Sequence, residues 1–93
     1  MTTQVRDVPN HGRFEITDDG QVAGFAAYRR ENNVVTFTHT EVDDAYEGQG
    51  LGSQLVGGAL DIVRTAGSPV RVECPFVGSY VERHPEYQDL LAR

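Results

Sequence analysis

The chain has 93 residues, 39% of them hydrophobic and 24% charged, with eight basic against fourteen acidic residues and a net charge of −6. That length supports one domain with a modest core, the usage is globular rather than disordered, and an acidic balance with a pI near 4.8 has the wrong sign for a nucleic-acid binder. One cysteine excludes an intramolecular disulfide framework, the start Met1-Thr2-Thr3-Gln4-Val5-Arg6 lacks the apolar core of a signal peptide, and no apolar run approaches the ~20 residues of a membrane span, so a cytoplasmic location is expected.

Along the chain, residues 13–17 and 21–30 read as extended, joined by Asp18-Asp19-Gly20, whose Asp-Gly pair favours a tight hairpin. Asn32-Asn33 offers a second turn. Residues 34–42 then alternate, which predicts Val35, Phe37, His39 and Glu41 on one face and Thr36, Thr38 and Thr40 on the other. Three antiparallel strands are therefore expected. From about Ser53 to Thr65 the apolar residues Leu55, Val56, Ala59, Leu60, Ile62 and Val63 form a helical stripe that stops before Gly67 and Pro69. Gly57-Gly58 inside it costs about 1 kcal/mol per glycine against alanine, which marks either close approach to the sheet or a tolerated weakness. Residues 70–74 form a short strand, and a crossover through the helix would set it parallel to 34–42. Two short helices, near 76–83 and 85–92, complete the chain.

The stretch with the clearest chemical content is Glu47-Gly48-Gln49-Gly50-Leu51-Gly52, glycine-rich and placed between a strand and a helix. Unpaired backbone N–H groups and the positive end of the helix dipole make such a turn an anion site, and glycine lets a phosphate approach without a Cβ in the way. A Walker loop is excluded because no lysine occurs in the chain. The dinucleotide fingerprint is excluded because the glycines stand at 48, 50 and 52, with Ser53 where the third belongs.

Tyr46-Glu47-Gly48-Gln49-Gly50-Leu51-Gly52-Ser53-Gln54-Leu55 resembles the acetyl-CoA pyrophosphate loop of the GNAT superfamily of N-acetyltransferases, with pattern Gln/Arg-x-x-Gly-x-Gly/Ala. Gly50 and Gly52 match; Glu47 stands where the family prefers Gln or Arg. The flanks His39-Thr40-Glu41-Val42, Cys74-Pro75-Phe76-Val77, Tyr80 and His84-Pro85-Glu86-Tyr87 resemble the small single-domain branch of that superfamily, and the likeness runs over about 13–91. It implies an α/β fold over 1–93: a mixed sheet of three antiparallel strands plus a parallel one, a central helix after the glycine loop, and short C-terminal helices. The implied activity is acetyl-CoA-dependent transfer of acetyl to an amine, either a small amine or a protein lysine or N-terminus, with acetyl-CoA as cosubstrate and no metal.

By the same resemblance Gln49, Gly50, Leu51, Gly52 and Ser53 would hold the pyrophosphate, with Phe76 beside the cosubstrate. The backbone N–H at Val42 or its neighbour would meet the thioester oxygen. Arg83 with His84 would meet the 3′-phosphate. Glu41 is the first candidate for the base that deprotonates the amine, with His39 two residues away, and a sheet hydrogen bond and a solvated strand end are the plainer readings of the pair. Cys74 ends a strand where the parallel strands of this fold splay, and it reads as a nucleophile, as an acid for the leaving thiolate, or as a small buried hydrophobe. Tyr80 is a second candidate for that acid, or a core aromatic.

The superfamily normally has two helices between its first strands, and residues 18–20 leave room only for a turn. Part of one sheet face is thus expected to be uncovered, for a macromolecular acceptor or a homodimer. His11, His39 and His84 are too far apart in sequence to suggest a metal site, and no Gly-x-Ser-x-Gly elbow is present. The rival to an enzyme is a non-catalytic acyl-CoA-binding or regulatory module, favoured by the acid at Glu47.

Overall fold

Asp19 and Gly20 take positive φ of 49° and 88°, and Asn32 and Asn33 of 52° and 67°, in the computed structural model, which describes residues 2–92. Both hairpins are therefore tight turns whose twist suits the flanking strands. They join β2 (Arg13–Asp18), β3 (Gln21–Glu31) and β4 (Val34–Val42) into an antiparallel meander. A strand not expected from the sequence, β1 (Thr3–Val8), pairs antiparallel with β2 and makes four antiparallel strands instead of three. Its apolar content is only Val5 and Val8, too little for a readable alternation, and it is held by backbone pairing at the sheet edge.

After a 3-10 turn at Asp44–Tyr46, α1 runs Leu51–Ala66, two residues earlier than the stripe suggests. Gly67, at φ 76°, closes it by donating to the Arg64 carbonyl, and Ser68 donates to that of Val63, the usual glycine C-cap. β5 is shorter than expected, Val70–Val72, and pairs parallel to β4 with Val35 opposite Val70 and Phe37 opposite Val72. α2 (Pro75–Arg83) follows at once, and a 3-10 turn at Pro85–Leu90 leads the chain back to β5, where the Ala92 N–H donates to the Val70 carbonyl at 2.7 Å. Among the described residues no helix is long and apolar enough to cross a membrane.

Both α-helices lie on the same face of the sheet: α1 packs across β1 to β4, and α2 packs on β4, β5 and α1. The core between them holds Phe14, Ile16, Ala26, Val35 and Phe37 from the sheet and Leu51, Leu55, Val56, Leu60 and Val63 from α1, all buried. The glycine pair in α1 resolves in favour of close approach. A Cβ at Gly58 would stand 2.8 Å from the Val5 side chain, and one at Gly57 would stand 2.6 Å from the Tyr80 hydroxyl. Gly58 thus admits β1 to the helix, and Gly57 admits α2.

A bulge in β4 corrects the expected alternation. Ala27 pairs with His39 but Tyr28 pairs with Phe37, so Thr38 is an extra residue and the faces exchange across it. Val35 and Phe37 point to the helices, whereas His39 and Glu41 pair with Ala27 and Phe25 on the opposite face and Thr40 turns to the helix side. Sequence alternation cannot show a bulge, because Thr38 looks like any other strand residue.

Candidate active site

The glycine loop ends with Gly50 at φ 73° as N-cap, lacking any side chain to cap the helix. The first helical bond is from Gln54 N–H to the Gly50 carbonyl at 3.2 Å, which leaves the amides of Leu51, Gly52 and Ser53 without intrahelical acceptors. A Cβ at Gly48 or Gly50 would meet nothing within 4 Å, so this backbone faces open space. The groove above it, of about 290 Å³, is lined by Val42, Tyr46, Glu47, Gly50, Gly52, Ser53 and Phe76 among others. Phe76, 42% exposed, lies on Gly52, where a Cβ would be 2.7 Å from its ring. The amides fit an anionic group such as a pyrophosphate, and they would hold it by backbone alone, because no arginine lines the groove and Glu47 does.

β4 runs straight into this groove, and on one side it has lost its neighbour. Pairing with β5 ends at Phe37 and Val72, apart from the Glu73 N–H donating to the Phe37 carbonyl at 2.9 Å. The chain then leaves β4 through Cys74, which precedes Pro75 at the start of α2. The Asp43 N–H donates to the Ala23 carbonyl of β3, and the Glu41 carbonyl faces Gly24. By strand alternation the Val42 N–H and carbonyl therefore point to the open side. In the same gap the Thr40 hydroxyl lies 3.4 Å from the Cys74 sulfur, and Cys74 is only 4% exposed.

Glu41 and His39 are across the strand, on the helix-free face. His39 Nε2 is 3.1 Å from Glu41 Oε1, and the two side chains are 59% and 62% exposed. The His39 ring neighbours Phe25 at 6.1 Å between centroids, and the Arg13 guanidinium covers Phe25 at 4.6 Å. Arg13 is held at 2.8 Å by Glu15, which Arg6 also meets at 3.4 Å. Glu15 is buried to 3% exposure on a face that no helix covers, roofed by its own partners. Burial raises its carboxyl, but the hydrogen bonds and charges of Arg13 and Arg6 outweigh that and hold it below the ordinary carboxylate range.

Tyr80 sits elsewhere. Its hydroxyl lies against Gly57, its ring stacks on His84 at 3.9 Å, and burial, then the charges of Glu86 and Asp61, push its phenol upward. With Arg83, His84, Ser53 and Gln54 it lines an open groove of about 780 Å³ between α1 and α2. The structure thus gathers Val42, Gly50, Leu51, Gly52, Ser53 and Phe76 in one place, with Gln49 on the loop that leads to it. Glu41 and His39 stand on the far side of β4 from Cys74, and Tyr80 joins Arg83. Missed from the sequence were Thr40, hidden by the bulge, and Gly24, where a Cβ would be 2.7 Å from the Glu41 carbonyl. Glycine inside a predicted strand was the available signal for close backbone approach there.

A family model for GCN5-related N-acetyltransferases matches residues 13–90. The chain belongs to the GCN5-related N-acetyltransferase family. A GCN5-like protein of Staphylococcus aureus, solved by NMR, superposes with a TM-score of 0.71 at 25% identity, covering 96% of this chain and 87% of that one. The ribosomal-protein-S18-alanine N-acetyltransferase of Escherichia coli shares the fold, with a TM-score of 0.63 at 24% identity over 76% of this chain and 49% of that one. Among curated proteins, Protein NATD1 of Mus musculus is 36% identical over 52 residues, which is 56% of this chain and 47% of the relative, and the Homo sapiens protein matches equally over 46% of its length. The match thus spans just under half of these relatives. Among the described residues no three His, Cys, Asp or Glu side chains cluster as a metal site would require.

Proposed function

We propose that this chain is an acetyl-CoA-dependent N-acetyltransferase acting in the cytoplasm. The observation that carries the reading is the continuity of the open β4 edge with the uncapped start of α1: Val42 ends β4 and lines the same groove as Gly50 to Ser53. In this reading the amides of Leu51, Gly52 and Ser53 bind the pyrophosphate, the Val42 N–H meets the thioester oxygen, and Arg83 serves the 3′-phosphate. When bound, acetyl-CoA supplies the activated acetyl group.

The acceptor amine approaches over the helix-free face, where Glu41 takes its proton and His39, 3.1 Å away, orients that carboxylate. The amine nitrogen forms its bond to the acetyl carbon as the carbon–sulfur bond breaks, and the Cys74 thiol gives its proton to the departing sulfur. Tyr80 is assigned to the wall of the CoA groove, where its hydroxyl lies against Gly57. We place the acceptor, rather than a second copy of the chain, on the helix-free face because Arg6, Arg13 and Arg29 there are already paired internally while Glu41 and His39 stay exposed. With Asp43 and Asp44 beside Glu41, a cationic amine is favoured, as a small molecule or on a protein.

The second reading, an acyl-CoA-binding module without turnover, is favoured by Glu47 at the rim of the groove. Glu41→Gln and Cys74→Ala separate the two. If the chain is an enzyme, both variants bind acetyl-CoA as the wild type does, and Glu41→Gln loses about 100-fold or more in kcat. Equal turnover in both variants and the wild type would remove these residues from the mechanism.

A further inference from the structure

Thr40 is the one side chain that the β4 bulge carries to the helix side between two residues of the acceptor face, His39 and Glu41. Its hydroxyl lies 3.4 Å from the Cys74 sulfur, across the gap left where β5 ends. A threonine on a strand commonly returns its proton to a nearby carbonyl, as Thr38 does to Ala27 at 3.3 Å. Thr40 has no such carbonyl among the described residues; sulfur is its only hydrogen-bond partner there. Its hydroxyl proton is therefore free to point at the Cys74 sulfur.

On the reading of Cys74 given above, we propose that Thr40 is a positioning residue for acetyl transfer. It donates its hydroxyl proton to the Cys74 sulfur, which turns the thiol proton away from Thr40 and into the gap where the leaving sulfur departs. The same donation supports the Cys74 thiolate after that proton has moved to the departing sulfur, until solvent returns one. Atoms balance without a co-reactant: the amine proton leaves through Glu41, and the thiol proton ends on CoA. A buried thiol has little water to do this work, and a charge-assisted hydrogen bond from a fixed hydroxyl replaces it. The charged neighbours do not compete. Glu73 on the same segment is bound by Arg29 at 3.0 Å, and Glu41 is bound by His39 on the other face. The bulge thus gives β4 two chemical faces, with proton removal from the amine on one and thiol orientation on the other.

The test uses Thr40→Val, which keeps the shape and removes the hydroxyl, beside Thr40→Ser, which keeps the hydroxyl. Cys74 is the sole cysteine, so iodoacetamide gives one adduct, read by intact mass without acetyl-CoA. The expected result is that alkylation of Thr40→Val needs higher pH and is about 5-fold slower on the acid side of its profile, while Thr40→Ser follows the wild type. In acetyl transfer Thr40→Val should lose about 10-fold in kcat with KM for acetyl-CoA unchanged, and Thr40→Ser should restore it. Superimposed alkylation profiles for Thr40→Val and the wild type would overturn the proposal, and so would a wild-type thiol that reacts only when unfolded. A shifted profile with unchanged kcat would uphold the contact and instead sink the reading of Cys74 in transfer.

Discussion

The two faces of the sheet are built from different materials, and the difference separates folding from chemistry. On the helix side Phe14, Ile16, Phe37 and the α1 stripe are shut away from water, and even the glycines are contact points. On the other side the same strands present Arg6, Arg13, Glu15, Phe25, His39 and Glu41, in ion pairs and an aromatic stack instead of an apolar cluster. The chain satisfies this face with its own charges. The candidate base lies on the face that folding does not need to bury.

Paired substitutions sharpen that contrast. Phe37→Ala, at 0% exposure, should cost about 4 kcal/mol and bring a domain of this size close to unfolding, read by urea titration. Phe25→Ala on the opposite face should cost only about 1 kcal/mol while loosening His39, so its larger effect should be on kcat. Comparable losses for the two would break the distinction. Glu15→Gln tests whether the helix-free face contributes stability through charge, and about 2 kcal/mol is expected. Because the Glu15 carboxyl is held below its ordinary range, its contribution is present above the unfolded pKa and is lost as pH falls through the folded one. The acid limb of wild-type stability should therefore be steeper than that of Glu15→Gln. The smallest effect on stability is expected in the groove between α1 and α2. Tyr87 is pushed up to about 12, first by burial and then by its 2.7 Å hydrogen bond to Asp61. Tyr87→Phe should cost about 1 kcal/mol, read by the same urea titration.

Much of this was legible in the chain, for local reasons. Asp19-Gly20 and Asn32-Asn33 write their turns through positive φ, the α1 stripe writes its buried face, and the Gly48-Gly50-Gly52 series writes an open backbone turn through missing side chains. What was hidden depends on partners. β1 carries only two valines, and its existence rests on pairing with β2 and on a glycine fifty-three residues away from Val5. The bulge at Thr38 is a relation between two strands, so alternation placed His39 and Glu41 on the wrong side of Phe37 and concealed Thr40. Tyr80, six residues past Cys74, is a candidate acid from the sequence, and the structure sets its hydroxyl against Gly57 of α1.

The measurement that bears most directly on the central claim is calorimetric titration of the wild type and Gly50→Glu with acetyl-CoA. Saturable binding at one site per chain is expected for the wild type and none for Gly50→Glu, whose Cβ and carboxylate would strain the φ of 73° and face the phosphate. No binding by the wild type, or equal binding by both proteins, would contradict that claim.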